Sequence, residues 1–241
     1  MNFSITGLSH RNAPVEVREL LAFDAAAIPA ALQALKRRPG FLEGMILSTC
    51  NRVEVALASE EGSSEEPLVD DFLAETRQLK PDSIRPYLYR YSGSEAIRHL
   101  FRVACSLDSM VVGEPQILGQ LKSAYAVAKQ EGAVSGFLDG LLTRAFSVAK
   151  RVRTETEIGA SAVSVSYAAV ELAREIFGSL KESSIMLIGA GKMSEAAARH
   201  LTRNGVSRIL VTNRTADRAA EMARLFNGSI VEYDRFAASL H

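Results

Sequence analysis

The chain has 241 residues, 47% of them apolar and 23% charged, with 28 basic side chains set against 28 acidic ones. That length suggests about one to two soluble domains, and zero net charge excludes affinity for nucleic acid through overall basicity, leaving only local patches. Two cysteines are too few for a disulfide framework, no apolar run approaches the ~20 residues that span a bilayer, and the start lacks a basic region followed by an apolar signal segment, so thiol chemistry in the cytoplasm is the expectation.

Residues 2–8 alternate as a strand. Pro14 opens a helical stretch to about Leu21, and a second helix follows Asp24 and ends near Pro39-Gly40. Gly44-Met45-Ile46-Leu47 and Val53 to Ala58 read as two strands flanking Thr49-Cys50-Asn51-Arg52. The acidic, Ser-rich stretch Glu60 to Pro67 reads as a solvated loop, Leu68 to Leu79 as a helix, Pro81 to Pro86 as a break and Tyr87 to Tyr91 as a short aromatic strand. The order β-α-β-β-α-β is the ferredoxin-like split βαβ pattern, buried most naturally as an antiparallel sheet with helices on one face.

From Gly93 the period changes from two to 3.6. Ser94 is the expected cap of a helix carrying Ile97, Leu100, Phe101 and Ala104; a second helix starts at Glu114-Pro115 and runs to about Glu131-Gly132; a third spans roughly Phe137 to Thr156. The Ala-, Ser- and Val-rich run Ala160 to Phe177 reads as a further helix leading into a new domain. The boundary is placed near 156–160, giving domains 1–156 and 157–241.

The second domain opens with the buried-strand run Ile185 to Ile188, then Gly189-Ala190-Gly191-Lys192-Met193-Ser194 and a helix to Arg203. Ile209 to Thr212 is the next strand, Ala216 to Phe226 a helix and Ile230 to Tyr233 a third strand. This βαβαβ order is the first half of a doubly wound nucleotide-binding sheet, so the overall class is α/β: an α+β domain with added helices, followed by a partial Rossmann domain. A sheet of this kind normally has a second half, and the expectation is that the chain is part of a longer polypeptide.

A Gly-x-Gly loop between a strand and a helix suits a pyrophosphate: Gly189 permits the tight turn, and Gly191 lets the phosphates reach the helix N-terminus. Ser194 stands where a third glycine or alanine is usual and is still small. Asn213-Arg214-Thr215 takes the place of the acidic residue that binds the ribose of NAD, and a guanidinium beside a hydroxyl favours the 2′-phosphate of NADPH. Cys50, at a polar strand end two residues from Arg52, is placed to ionise, since a nearby cation increases the thiolate fraction. The bland alternative is a small buried hydrophobe, the reading given to Cys105 on its apolar helix face. His99 shares a face with Ala96 and Val103 and reads either as an interior histidine or as a general acid/base; His10 lies in a loop within reach of the thiol's sheet; His200 reads as surface and His241 as the terminal residue. Lys150-Arg151-Val152-Arg153, with Arg144, is the strongest basic stretch, although a solvated helix face explains it equally well.

Taken together, Gly7-Leu8-Ser9-His10-Arg11-Asn12-Ala13-Pro14, Leu47-Ser48-Thr49-Cys50-Asn51-Arg52, Leu107 to Gln120 (LDSMVVGEPQILGQ), the glycine loop and Thr212-Asn213-Arg214-Thr215 make the chain resemble the glutamyl-tRNA reductases over essentially its whole length. The resemblance implies NADPH-dependent reduction of glutamyl-tRNA to glutamate-1-semialdehyde, the first step of five-carbon tetrapyrrole synthesis, through a thioester on Cys50. It implies His99 as the histidine needed for full activity. It also implies a glutamate pocket of Thr49, Asn51, Arg52, Ser109, Glu114, Pro115, Gln116 and Gln120, in which Arg52 grips a carboxylate and Glu114 attracts the ammonium. It further implies a homodimer built through a later helical region, hand-over to a downstream aminomutase, no metal and no membrane. The second domain alone also resembles shikimate dehydrogenases, which reduce a ketone directly without a thiol, and a non-catalytic module binding charged tRNA or a regulator is the reading from outside enzymology.

Overall fold

The computed structural model describes residues 1–62, 65–159, 165–181 and 183–239. Chain contacts divide it into two compact units, Met1–Ser161 and Ala162–His241.

The first unit begins β1 (Asn2–Ser9), α1 (Val15–Leu21), α2 (Ile28–Lys36), β2 (Phe41–Ser48), β3 (Arg52–Ser59), α3 (Glu65–Thr76), α4 (Pro81–Ile84) and β4 (Tyr89–Ser92). The sheet order is β2-β3-β1-β4 and every pairing is antiparallel, the arrangement a split βαβ pattern dictates. Residues 81–86, expected as a break, form α4 and, with Tyr87 from the expected strand, one 3₁₀ turn, because Pro81 sits at a first helical position where its missing N–H is harmless. Likewise α3 starts inside the stretch expected as a loop.

Three longer helices follow: α5 (Gly93–Ala104), α6 (Gln116–Gln130) and α7 (Gly136–Glu155). Ser92, not Ser94, occupies the cap position of α5, and no side chain caps it. With these added helices the sheet is covered on both faces, and all eight residues of β3 are buried. One face carries Leu8, Ile46, Val55 and Leu57, packed with Leu32, Leu35 and Phe72 of α2 and α3 into a single core. Each such side chain contributes about 1.5–3 kcal/mol on full burial. The opposite face carries Phe3 and Ile5, with the Phe3 ring edge-on to Phe137 of α7 at 5.5 Å. The edge strand β2 anchors that helix: the buried Glu43 carboxylate accepts the N–H groups of Ser135, Phe137 and Leu138 at 2.9–3.0 Å, neutralising donors that a helix start leaves without partners. Burial opposes ionisation of Glu43, but these three donors win and depress its pKa.

The second unit contains α8 (Val165–Phe177), β5 (Ser184–Ile188), α9 (Lys192–Arg203), β6 (Arg208–Thr212), α10 (Ala216–Leu225) and β7 (Ser229–Ile230). Its parallel sheet has the order β5-β6-β7, and Val170, Leu187, Leu201, Val211 and Met222 lie at its core. The third strand is shorter than expected. Ser229 and Ile230 pair with β6, the Val231 N–H still donates to the Val211 carbonyl at 2.9 Å, and Tyr233–Ser239 turns into a 3₁₀ helix with Glu232 and Tyr233 exposed. Of the helix expected over 160–177, residues 160–164 lie outside the described residues, as does His241. Among the described residues no helix is long and apolar enough to cross a membrane.

Candidate active site

Thr49-Cys50-Asn51-Arg52 closes the β2–β3 hairpin. The Thr49 N–H donates to the Arg52 carbonyl at 2.8 Å, and Thr49 Oγ1 accepts the N–H groups of Asn51 and Arg52 at 3.2 and 3.1 Å. A threonine hydroxyl that satisfies its own turn in this way ends one strand and starts the next. The chain leaving β1 runs alongside, with the His10 N–H on the Asn51 carbonyl at 2.9 Å. Cys50 at the apex is exposed, whereas Cys105 is buried, and burial pushes the Cys105 thiol up.

The guanidinium beside this turn belongs to Arg18 of α1. It donates to the Cys50 carbonyl at 2.5 Å and to Asn51 Oδ1 at 3.2 Å. Sequence reading did not single out Arg18; only the fold brings α1 to the turn. Arg52, expected to grip a substrate carboxylate, does not stand open to one. Side chains alternate along β3, so Arg52 enters the sheet face shared with Glu54 and is 2% exposed. One terminal nitrogen donates to Glu54 Oε1 at 2.7 Å; the other donates to the Asp108 carbonyl at 2.6 Å and lies 3.2 Å from its carboxylate.

Around Glu54 lies a buried polar cluster. His99 Nε2 is 2.8 Å from Glu54 Oε1, which also accepts the Tyr89 hydroxyl. Tyr91 stacks on the His99 ring at 4.5 Å and Tyr89 meets it edge-on at 5.4 Å. Gly7 makes the cluster possible, because it lies between Glu54 and Tyr89 in the sheet. A Cβ there would stand 2.3 Å from the Val53 carbonyl and 2.9 Å from Glu54 Cγ. Burial alone would keep Glu54 protonated, but the His99 hydrogen bond and the Arg52 charge outweigh it and hold the carboxyl at about 2. An ionised carboxylate only accepts, so His99 Nε2 carries a proton. For Tyr89, burial and the Glu54 charge push the hydroxyl well up. Next to the cluster, His10 is held below its usual range by burial and the charges of Arg52 and Arg11, and its buried Nδ1 has no partner among the described residues.

The loop between α5 and α6 holds the remaining candidates. Ser106 adopts φ +61° and its hydroxyl donates to the Glu114 carbonyl at 2.6 Å; Arg153 of α7 donates to that carbonyl at 2.5 Å and to Ser106 Oγ at 2.9 Å. Arg52 holds the loop from the other side through Asp108. Glu114 accepts the Ser109 hydroxyl at 3.1 Å and the backbone N–H groups of Gln116 and Ile117 at 2.5 and 3.0 Å, and so caps α6 from the residue before Pro115. An ammonium on Glu114 would share oxygens that already hold the helix start. Pro115, Gln116 and Gln120 are exposed on this rim. In the basic stretch near 150, Arg153 is engaged in this loop and Arg151 with Glu155 at 3.0 Å, while Lys150 and Arg144 are exposed.

In the second unit, Gly189 takes φ +102° and Gly191 is the cap residue of α9, which no side chain caps. A Cβ at either glycine would meet nothing within 4 Å, so space lies open in front of the loop. Two segments remote in sequence meet here. The Gly189 N–H donates to the Thr212 carbonyl at 2.8 Å, the Ala190 N–H donates to Asn213 Oδ1 at 3.2 Å, and the Asn213 amide donates to the Thr215 carbonyl at 3.0 Å. Lys192, Met193 and Ser194 form the first turn of α9, and Arg214 and Thr215 are exposed beyond β6. An open glycine turn ahead of a helix start is the shape an anionic dinucleotide needs.

Fold and site thus define a thiol-bearing α+β unit followed in the same chain by a dinucleotide-type α/β unit. Residues 6–156 match the family described as glutamyl-tRNAGlu reductase, N-terminal domain, and residues 171–241 match shikimate / quinate 5-dehydrogenase. The chain belongs to the glutamyl-tRNA reductase family. Glutamyl-tRNA reductase of Solibacter usitatus is 62% identical over 240 residues, covering 100% of this chain and 57% of that protein. Glutamyl-tRNA reductase 2 of Koribacter versatilis is 54% identical over 231 residues, 96% of this chain and 52% of its own. The solved glutamyl-tRNA reductase from Methanopyrus kandleri is 36% identical with a TM-score of 0.63, over 99% of this chain and 56% of that one. The chain therefore spans somewhat more than half the length of the curated relatives it matches.

Proposed function

We propose that this chain carries the acyl-transfer site and the cofactor loop of an NADPH-dependent reduction of glutamyl-tRNA to glutamate-1-semialdehyde, the entry to tetrapyrrole synthesis by the five-carbon route. The observation that carries it is the contrast between the two thiols: Cys50 stands exposed at a hairpin apex fixed by its own backbone, while Cys105 is core. The Cys50 thiolate attacks the ester carbonyl, an S–C bond forms, the C–O bond to the terminal ribose breaks, and the released hydroxyl takes a proton. His99, whose Nε2–H is held by Glu54, is the assigned relay: Nδ1 takes the proton of the Cys50 thiol as the thiolate forms and returns it to the released ribose hydroxyl. A thioester retains the electrophilicity that hydride addition needs. When bound, NADPH supplies that hydride, after which the S–C bond breaks and the aldehyde leaves with the thiolate regenerated. Thr49 and Asn51 fix the turn; Ser109, Glu114, Pro115, Gln116 and Gln120 form the glutamyl rim; Arg52 positions the Asp108 loop.

The cofactor would lie on Gly189 to Ser194, with Asn213, Arg214 and Thr215 at the ribose. Arg214 is exposed and makes NADPH the preferred dinucleotide; equal calorimetric affinities for NADPH and NADH would defeat that choice. Residues 1–156 and 157–241 serve as the substrate and cofactor domains of a cytoplasmic protein, and the family resemblance adds a dimer and delivery of the aldehyde to an aminomutase. Intact-mass spectrometry under single-turnover conditions with glutamyl-tRNA tests the central step. One glutamyl group on Cys50, absent in Cys50→Ser, is expected; no adduct on the folded chain, or an adduct elsewhere, would refute it.

A further inference from the structure

Beside the polar cluster lies a cavity of about 300 Å³ whose lining includes Arg11, Arg98, His99, Arg102 and Asp108. The turn that carries Cys50 is not part of this lining, whereas His99 is. Its charges do not cancel. Arg11, Arg98 and Arg102 face the carboxylates of Glu95 and Asp108, and Asp108 is also bound by buried Arg52. One Asp108 oxygen lies 3.2 Å from Arg11 and 3.9 Å from Arg102, whose side chains are 53% and 48% exposed. Among the described residues Arg98 makes no ion pair. The whole chain has zero net charge, and in the basic stretch near 150 Arg151 is held by Glu155 and Arg153 by the α5–α6 loop. Three guanidiniums thus share two carboxylates on this rim, and Arg98 is the one left over.

We propose that this arginine rim binds a phosphodiester of the single-stranded 3′ end of the RNA substrate, an inference that rests on the acyl-transfer reading above. Helix α5 sets the spacing. Arg98 and Arg102 are four apart and His99 and Arg102 three apart, so two forks suited to phosphate oxygens and a ring nitrogen suited to a ribose hydroxyl line one cavity. A nucleotide likewise places its ribose hydroxyls and its 5′-phosphate one sugar apart. The open rim favours a phosphodiester over the glutamyl carboxylate, because a polymer must leave the site toward solvent. Here arginine supplies paired donors to an anion that carries no counter-charge of its own.

The test is binding of an RNA hairpin ending in single-stranded CCA, followed by fluorescence anisotropy across a salt series, with the same hairpin lacking those three nucleotides as the second probe. Arg98→Gln with Arg102→Gln is expected to weaken binding on the order of tenfold at ~0.1 M salt, to reduce the salt slope by about 1.5, and to abolish the preference for the CCA end. Arg98→Lys with Arg102→Lys restores the slope, and Arg151→Gln leaves it unchanged. An unchanged slope in the double glutamine variant, with melting confirming its fold, overturns the proposal; so does equal weakening of both hairpins. Acylation of Cys50 in the unaltered chain by a small glutamyl thioester, which carries no phosphate, reads the underlying reaction separately. Its failure counts against that reaction, while the RNA measurement still decides the rim.

Discussion

Replacing Glu54 with glutamine keeps the shape of the buried cluster and removes its charge. In the folded chain the carboxyl ionises at about 2 against an ordinary 4.5, a difference that corresponds to about 3 kcal/mol of stability. A second route gives a similar size: Arg52 is 2% exposed, and stripping a partner from a buried ion pair costs about 3–5 kcal/mol, less here because Asp108 remains. Glu54→Gln is therefore expected to lose about 3 kcal/mol at neutral pH, measured by urea unfolding followed by circular dichroism. The pH dependence carries a sign. The folded pKa is depressed, so the contribution is complete above about 4.5 and fades as the pH falls toward 2. The gap between parent and variant should be flat from pH 7 to 5 and close progressively below that. A variant within about 0.5 kcal/mol of the parent, or a gap that ignores pH, would show that Glu54 is not the ionised centre of the cluster.

Gly7→Ala puts a methyl 2.3 Å from a backbone carbonyl that cannot yield, and is expected to cost about 2–3 kcal/mol in the same urea assay. Arg153→Gln removes donors to Ser106 Oγ, Gly113 and Glu114; a loss of about 1.5–3 kcal/mol should appear as faster hydrogen exchange across residues 106–115, with the sheet unaffected. Iodoacetamide should alkylate Cys50 in the native chain and reach Cys105 only after denaturation; peptide mapping that finds both modified under native conditions would contradict the assigned burial.

The strand order was legible because β-α-β-β-α-β admits few antiparallel arrangements, and the Cys50 turn because apolar strands bracket a polar tetrapeptide. The glycine loop was legible from its place between a strand and a helix. The destination of Arg52 was not. Its partner Asp108 lies 56 residues away, on a loop whose position depends on packed helices. A signal for half of it existed, since Arg52 and Glu54 are two apart on a strand, as are Tyr89 and Tyr91, and both pairs flank Gly7 once register is known. Arg18 had no signal, because its reach to the turn follows from where α1 docks. The third strand of the second unit was overextended because Ile230 to Tyr233 has β composition, while pairing is decided by which neighbour exists.

The absence of one methyl at Gly7 leaves room on one face of the sheet for an anion, an imidazole and two phenols. Glu54 and the two tyrosines stand on strands that pair with β1 on either side of Gly7, so separating those strands takes the assembly apart. Denaturant should therefore erase the near-ultraviolet signal of those tyrosines together with the β-sheet signal of the first unit.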